Sequence, residues 1–509
     1  MSNKTVFFTL FGHNSFQLLL ILISFVLIVL AYRTRPSLSF LFAIEVKPPR
    51  DFIENRVSSA DEIETVLSIK SRVRFCGDAT LPTDASRPER RSLPFRSPSM
   101  SSLHSLNPND FPRTLEKVLN QINACHQSLL ITGMRRVGKK MLLQRLAGER
   151  RHVSLDHFQA LDLAQDDPDT FFRQYAPPVW IDEFERAPKL GPALRALLDG
   201  TDERGLVWLT ASQTRMLRQP LAEALPANVT ALELFPLSLY ERQGKGREQM
   251  PFLPTGSLER GPLNPVTQDE LWRIIWQGAW PEVVRSDAKG RDGFFERFLQ
   301  ILLDRDVFAA GVRRLPEFAK FLSILAGRIG REFVVGEVQA EAGIARETAR
   351  DWLDIAVATG VVYLLPAFCE DVGKTLIKKP KLYFTDTGFA AWLCRSPSPA
   401  ALRSAHNAEA FFENFVVMEI LKSWRHNGRT AHFYFYRDAQ RREIDLLIRK
   451  DDVYHPIAIE SSDTPNRSVL KAFDVLQGHV RRGPGALVCT APQARYLTSD
   501  VIALPVWDL

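Results

Sequence analysis

The loop at residues 133–140, GMRRVGKK, constrains this chain more than any other feature. An apolar run, SLLIT at 128–132, leads into it, and a helix-forming run, MLLQRLAGE at 141–149, leads out. The spacing is GxxxxGK. Glycines at both ends let the backbone wrap closely, so that successive N–H groups converge on phosphate oxygens. The motif lysine then reaches the β- and γ-phosphates, and the required strand–loop–helix context is present. The sequence therefore predicts ATP binding by Gly133, Arg135, Arg136, Val137, Gly138, Lys139 and Lys140.

One position departs from the motif. The residue after its lysine is Ser or Thr, whose hydroxyl ligates Mg²⁺. Here it is Lys140. An ammonium has donors only, so it repels the metal instead of binding it, and can neutralise phosphate charge directly. Nucleotide binding is expected, and Mg²⁺-dependent turnover is put in doubt. About 43 residues on, VWIDE at 179–183 is an apolar strand ending in two acids. Asp182 would hold Mg²⁺ through water, and Glu183 would be the catalytic residue that orients the attacking water. The next apolar run, LVWLT, ends at Thr210, with Ser212 just beyond. Polar residues there can sense the γ-phosphate, or simply end a strand.

Apolar strands alternate with amphipathic helices from about 110 to 243, which predicts an open parallel α/β sheet. A Pro/Gly-rich break follows at 244–265. Residues 267–325 read as all-helical, with Trp272, Trp276 and Trp280 forming a core stripe at i, i+4 and i+8. Residues 333–365 read as two short helices about Ala342-Gly343 and then an apolar strand, the shape of a winged helix-turn-helix. A helix at 407–424 and strands near 433–436, 443–448 and 456–460 complete the chain. The expected domains are a P-loop α/β domain at 110–255, a helical subdomain at 256–325, a winged helix at 326–400 and an α/β domain at 401–509.

The N-terminus differs in kind. Residues 16–32, FQLLLILISFVLIVLAY, carry no charge and can span a bilayer core of roughly 30 Å. Arg33, Arg35, Lys47 and Arg50 follow the run, and only Lys4 precedes it, which places the globular part in the cytoplasm. The expectation is one transmembrane anchor at 1–32 in the inner membrane, then a disordered linker at 33–109 rich in Ser, Pro and Arg. Met100 lies in that linker, and a start there would give a soluble cytoplasmic chain. Cys76, Cys125, Cys369, Cys394 and Cys489 form no CxxC pair, which argues against a disulfide framework and a zinc site.

Read in order, GMRRVGKK, VWIDEFERAP, LVWLTASQ and LELFPLSLYE resemble the AAA-like ATPases of bacteria and archaea. Those carry a C-terminal domain of unknown function with a restriction-endonuclease-like core. GAWPE at 278–282, LLDRDV at 302–307, GKTLIKKPKLYFTDTGFAAWL at 373–393 and FFENFVVMEIL at 411–421 extend the likeness, which runs from about 110 to 470. The resemblance implies a Ser or Thr at position 140, and a Gly-Arg pair where this chain has Ala227 and Asn228. That arginine is a candidate for stabilising transferred phosphate charge, so both losses weaken catalysis more than binding. Endonuclease-like cores hold metal with an acid on one strand and an E-x-K on the next. Glu413, Glu443 and Asp445 are in place, but Ala458 and Glu460 stand where Glu and Lys belong. The C-terminal domain is expected to be a degenerate scaffold.

The net charge of +6 and pI near 9.0 permit contact with phosphates or anionic lipid. A DNA partner is expected through Arg346, Thr348 and Arg350 on the second helix of the winged element, with Lys374, Lys378, Lys379 and Lys381 as a basic wing. Winged helices also serve as protein-interaction modules. The sequence thus predicts an ATP-binding, AAA-like switch with weak or absent hydrolysis. The alternative is a non-catalytic DNA- or partner-binding protein whose phosphate loop has decayed.

Overall fold

The structure, a computed structural model, describes residues 111–509 apart from 213–228, 257, 259–262, 370–378, 431 and 477–479. The expected anchor at 16–32, the linker with Met100, and Ala227 and Asn228 lie outside the described residues, as do Lys374 and Lys378. Among the described residues no helix is long and apolar enough to cross a membrane.

Helix α1 (Leu115–Cys125) leads into the first sheet. Its strands are β1 (Ser128–Thr132), β2 (Arg151–Ser154), β3 (Val179–Asp182), β4 (Val207–Thr210) and β5 (Val229–Glu233). All pair in parallel, in the order β2-β3-β4-β1-β5. Every residue of β1 and β4 is buried, as strands covered on both faces must be. Alternation sorts their side chains. Leu129, Ile131, Trp180 and Trp208 enter one core, and Leu130, Ile181, Val207 and Leu209 the other. The crossovers carry α2 (Lys139–Leu146), α3 (Phe158–Asp166), α4 (Pro168–Gln174) and α5 (Leu190–Asp199). After β5, α6 (Leu239–Arg242) opens with a capping box between Ser238 and Glu241.

The middle of the chain begins with α7 (Gln268–Gln277), α8 (Pro281–Val284) and α9 (Ala288–Ile301). Helix α9 runs into a single π turn, Leu302–Val307, and α10 (Leu315–Gly327) follows. The tryptophan stripe is core, with Trp272, Trp276 and Trp280 at 4, 7 and 0% exposure. It is not one helical row, however. Gly278 takes φ +87° and ends α7, which turns Trp280 out of the row and towards the phosphate loop. Next, α11 (Val335–Ala342) and α12 (Arg346–Ala358) flank Gly343, whose left-handed conformation (φ +71°) caps α11. Strands β6 (Val362–Leu365) and β7 (Lys381–Phe384) pair antiparallel, and α13 (Thr387–Leu393) and α14 (Pro399–Arg403) follow.

The last part pairs α15 (Ala408–Arg425) with a mixed sheet. Its strands are β8 (His432–Arg437), β9 (Glu443–Lys450), β10 (Val453–Ile459), β11 (Arg481–Arg482), β12 (Gly485–Cys489), β13 (Arg495–Tyr496) and β14 (Val501–Pro505). They run in the order β13-β14-β12-β10-β9-β8, with β11 beside β10. One apolar core continues from a face of the first sheet, through the middle helices, to α15 and a face of the second sheet. A buried ionic group ties the same junction. Glu241 Oε1 lies 3.1 Å from both Arg113 Nε and His426 Nδ1. Burial pushes the Glu241 carboxyl up, but Arg113 and His426 outweigh it and hold it well below the usual range.

Candidate nucleotide-binding site

The carboxyl ends of β1, β3 and β4 meet along one edge of the first sheet, where open α/β sheets bind ligands. Gly133 takes φ +143°, and a Cβ there would fall 2.1 Å from the Leu234 carbonyl oxygen, so only glycine fits. Gly138 (φ +101°) precedes the first turn of α2, whose unpaired N–H groups favour an anion. Lys139 is buried, and its Nζ donates to the Gly133 and Met134 carbonyls at 2.7 and 2.9 Å. Burial lowers its pKa to about 8, against the opposing pull of Glu183 and Glu185. Arg113 donates to the Val137 carbonyl at 2.8 Å and fixes the end of the loop.

The two loop arginines are engaged by acids. Arg136 Nη1 donates to Glu282 Oε2 at 2.9 Å on an exposed face. Arg135 Nε and Nη2 both reach Asp306, at 3.0 Å for the shortest contacts, and Nη1 donates to Glu183 Oε2 at 3.2 Å. Burial disfavours the Arg135 charge, but Asp306 and Glu183 more than restore it. Trp280 Nε1 donates to the Arg135 carbonyl at 3.1 Å. The sequence marked Asp306 only as part of the LLDRDV run and gave no sign of its contact with Arg135, 171 residues away.

Asp182 and Glu183 stand side by side at the end of β3. The Thr210 hydroxyl donates to Asp182, and the Glu183 N–H donates to that hydroxyl oxygen at 3.3 Å. Ser212 Oγ donates to Glu183 Oε1 at 3.0 Å. The strand-end hydroxyls therefore fix the two acids. Glu183 sits in the left-handed region, φ +60°. Burial raises its pKa, but Arg135 and Lys139 overcome that and the net shift is downward, so it is ionised. Glu185, which sequence reading missed, accepts from the Ser212 N–H at 2.9 Å. Burial and the Glu183 charge push it up to about 8, so it keeps a proton at neutral pH.

The residues near Asp182 do not fit a resident Mg²⁺. That ion wants octahedral oxygen ligands. Lys140 brings an exposed ammonium instead of a hydroxyl, and His152 Nε2 lies 4.0 Å from the second Asp182 oxygen. Burial, and then the Lys140 charge, lower the His152 pKa. Among the described residues no group of three or more His, Cys, Asp or Glu is placed to hold a metal. Beside Gly138, Phe111, Arg113, Met141, Leu142 and Pro281 line an open cleft. Arg285 stacks on the Phe111 ring at 5.0 Å. These residues lay outside the predicted set.

The C-terminal acids do come together, around a lysine the sequence had placed on a DNA-binding wing. Lys381 Nζ lies 2.7 Å from Glu413, 2.5 Å from Glu443 and 3.9 Å from Asp445, and its side chain is only 2% exposed. Tyr383 OH donates to Glu413 at 2.5 Å, and the Ile459 N–H to Asp445 at 2.8 Å. Burial disfavours the Lys381 charge, but the three carboxylates raise its pKa overall. Asp445 is pushed up to about 7 by burial and by Glu413. Lys381 is thus a buried ion-pair partner and no part of a solvated basic wing. Glu460 takes no part in the cluster: its Oε2 accepts from the Asn466 N–H at 3.3 Å.

Three families match consecutive parts of the chain. Residues 126–243 match the family described as AAA domain. Over that segment the chain is similar to an AAA domain. Residues 268–400 and 408–509 match two families described as domains of unknown function (DUF8612 and DUF4143). The first spans both the expected helical subdomain and the expected winged helix. Two relatives, the uncharacterized proteins Mb2031c of Mycobacterium bovis and Rv2008c of Mycobacterium tuberculosis, are 26% identical over 359 residues, 69% of this chain and 74% of theirs. Among solved structures, a Walker-type ATPase of Pyrococcus abyssi is 14% identical with a TM-score of 0.34, covering 55% of this chain and 94% of its own. A signal transduction ATPase with numerous domains from Pyrococcus horikoshii, which has a tetratricopeptide repeat sensor, is also 14% identical. Its TM-score is 0.23, over 62% of this chain and 48% of its own.

Proposed function

We propose that the chain is an ATP-binding switch with weak or absent hydrolysis. The observation that carries the reading is Lys139, a buried ammonium bonded, among the described residues, only to carbonyl oxygens in a glycine-framed loop. An arriving phosphate supplies the counter-charge it lacks. The base would lie in the cleft beside Phe111 and Met141. One feature supports slow turnover: Lys140 replaces the metal-ligating hydroxyl. Calorimetry of the full chain with ATP, with and without Mg²⁺, tests this. Micromolar binding with little Mg²⁺ dependence, lost in Lys139→Ala, is expected. Wild-type protein that binds no ATP would sink the reading.

The DNA-binding alternative gains little support. The exposed positions of α12 include Arg346 and Arg350, but also Glu347, Asp351 and Asp354, while Thr348 is half-buried. Such a face does not favour phosphates. The winged element is better read as a protein-interaction module. We further infer that residues 408–509 are an endonuclease-like scaffold without cleavage activity. Ala458 and Glu460 in place of the metal-binding pair support this, as does Lys381, which neutralises the remaining acids. The anchor at 16–32 belongs to the same proposal, and membrane fractionation of the full chain tests it: recovery in the soluble fraction would remove the anchor.

A further inference from the structure

We propose that Asp306, in the π turn of the middle region, is a positioning residue that lets Arg135 recognise the γ-phosphate. The inference rests on the nucleotide reading above. A guanidinium is a rigid fork with five donors. One edge of Arg135, Nε and Nη2, is committed to Asp306, and the Arg135 carbonyl is fixed by Trp280. Both anchors come from outside the AAA-like domain. Only Nη1 contacts that domain's own acid, Glu183.

Glu183 is the residue that would orient the attacking water, so Nη1 sits at the γ-phosphate end of the loop. A γ-phosphate carries more negative charge than one carboxylate and takes over Nη1. Glu183 then keeps the Ser212 hydroxyl and the protonated Glu185 as partners and loses the Arg135 cation, which lets it turn to a water. ADP makes no such exchange. The guanidinium is rigid, so as Nη1 turns to the phosphate it draws the bonded Asp306 carboxylate with it, and the shift is felt at the π turn. Single π turns within helices recur at functional sites, and this one joins α9 to the segment before α10. Asp306 thereby gives the region at 268–400 a direct reading of nucleotide state.

The test is calorimetry of the full chain with ADP and with a non-hydrolysable ATP analogue, AMP-PNP. Wild type is expected to prefer the analogue. Asp306→Asn keeps shape but not charge, and should cut that preference about tenfold, the loss of roughly one well-oriented charge-assisted bond, while ADP affinity stays within about threefold. Asp306→Glu should restore part of it. Arg135→Lys, which cannot span both acids, should behave like Asp306→Asn, and provides the test if that variant folds poorly. A purely structural Asp306 would weaken both nucleotides alike. An unchanged preference in both Asp306→Asn and Arg135→Lys overturns the proposal. Wild type that binds neither nucleotide would instead overturn the reading beneath it.

Discussion

Two buried lysines, one in the phosphate loop and one at the start of β7, have opposite surroundings. Among the described residues Lys139 has no carboxylate in contact, and burial lowers its pKa to about 8. Lys381 is seated against Glu413 and Glu443, and its pKa is raised despite equal burial. Desolvation acts on both. What differs is whether counter-charge is within reach. Lys139 gains by meeting an anion, which is what a phosphate receptor requires. Lys381 already has its anions, which is what a closed structural centre requires. Burial alone therefore says little about function; the charge balance of the shell decides.

The sharpest way to break this comparison is to remove both charges in the same manner. Lys381→Met would leave Glu413 and Asp445 without their cation, and Glu443 with only the exposed Arg437. It should cost about 3–5 kcal/mol of stability, read as a fall in the denaturation midpoint of the full chain, with ATP affinity little changed. A loss below about 1 kcal/mol would mean that the cluster is solvated and not closed. Lys139→Met should do the reverse. ATP affinity should drop at least about a hundredfold, and the midpoint should hold or rise, because a desolvated charge has gone.

Asp445 offers a smaller test with a defined sign. Its folded pKa, about 7, lies above its unfolded value. Stability is therefore retained at low pH, falls as pH rises from about 4 to about 7, and then levels off. Asp445→Asn removes that loss. It should match wild type near pH 4 and be more stable at pH 8, by up to roughly 4 kcal/mol. Equal midpoints at pH 8 would show that the excess negative charge is already compensated.

The smallest expected effect is a proton count. Lys139 and Glu185 both titrate near pH 8 before nucleotide binds. Added phosphate charge raises both pKa values, so binding at pH 8 should take up a substantial fraction of a proton. Binding at pH 6.5 should take up much less. Calorimetry in buffers of different ionisation enthalpy measures this. No uptake at pH 8 would mean that the phosphates do not approach these two groups.

Much of the first sheet was legible because its signals are contiguous. SLLIT, VWID and the following LVWLT are apolar runs that both faces of a parallel sheet demand, and they appear as β1, β3 and β4. The tryptophan stripe was legible as core but not as geometry, since Gly278 breaks the helix that the spacing implied. In the site, Gly133, Gly138, Lys139, Asp182 and Glu183 came from local motifs. The contacts of Asp306 and Glu185 did not. Asp306 reaches Arg135 across 171 residues, and Glu185 differs from any strand-end acid only by its burial beside Glu183.

By itself the sequence determined the phosphate loop, because a GxxxxGK turn between strand and helix is encoded by neighbours along the chain. It also determined the missing metal-ligating hydroxyl at Lys140, because that is a matter of residue type. Only the tertiary structure decided which acids hold Arg135 and where Lys381 belongs. The sequence placed Lys381 among wing lysines; folding placed it among Glu413, Glu443 and Asp445. A charge interacts with whatever lies within a few ångströms, and for both residues those neighbours come from distant segments brought together by one shared apolar core.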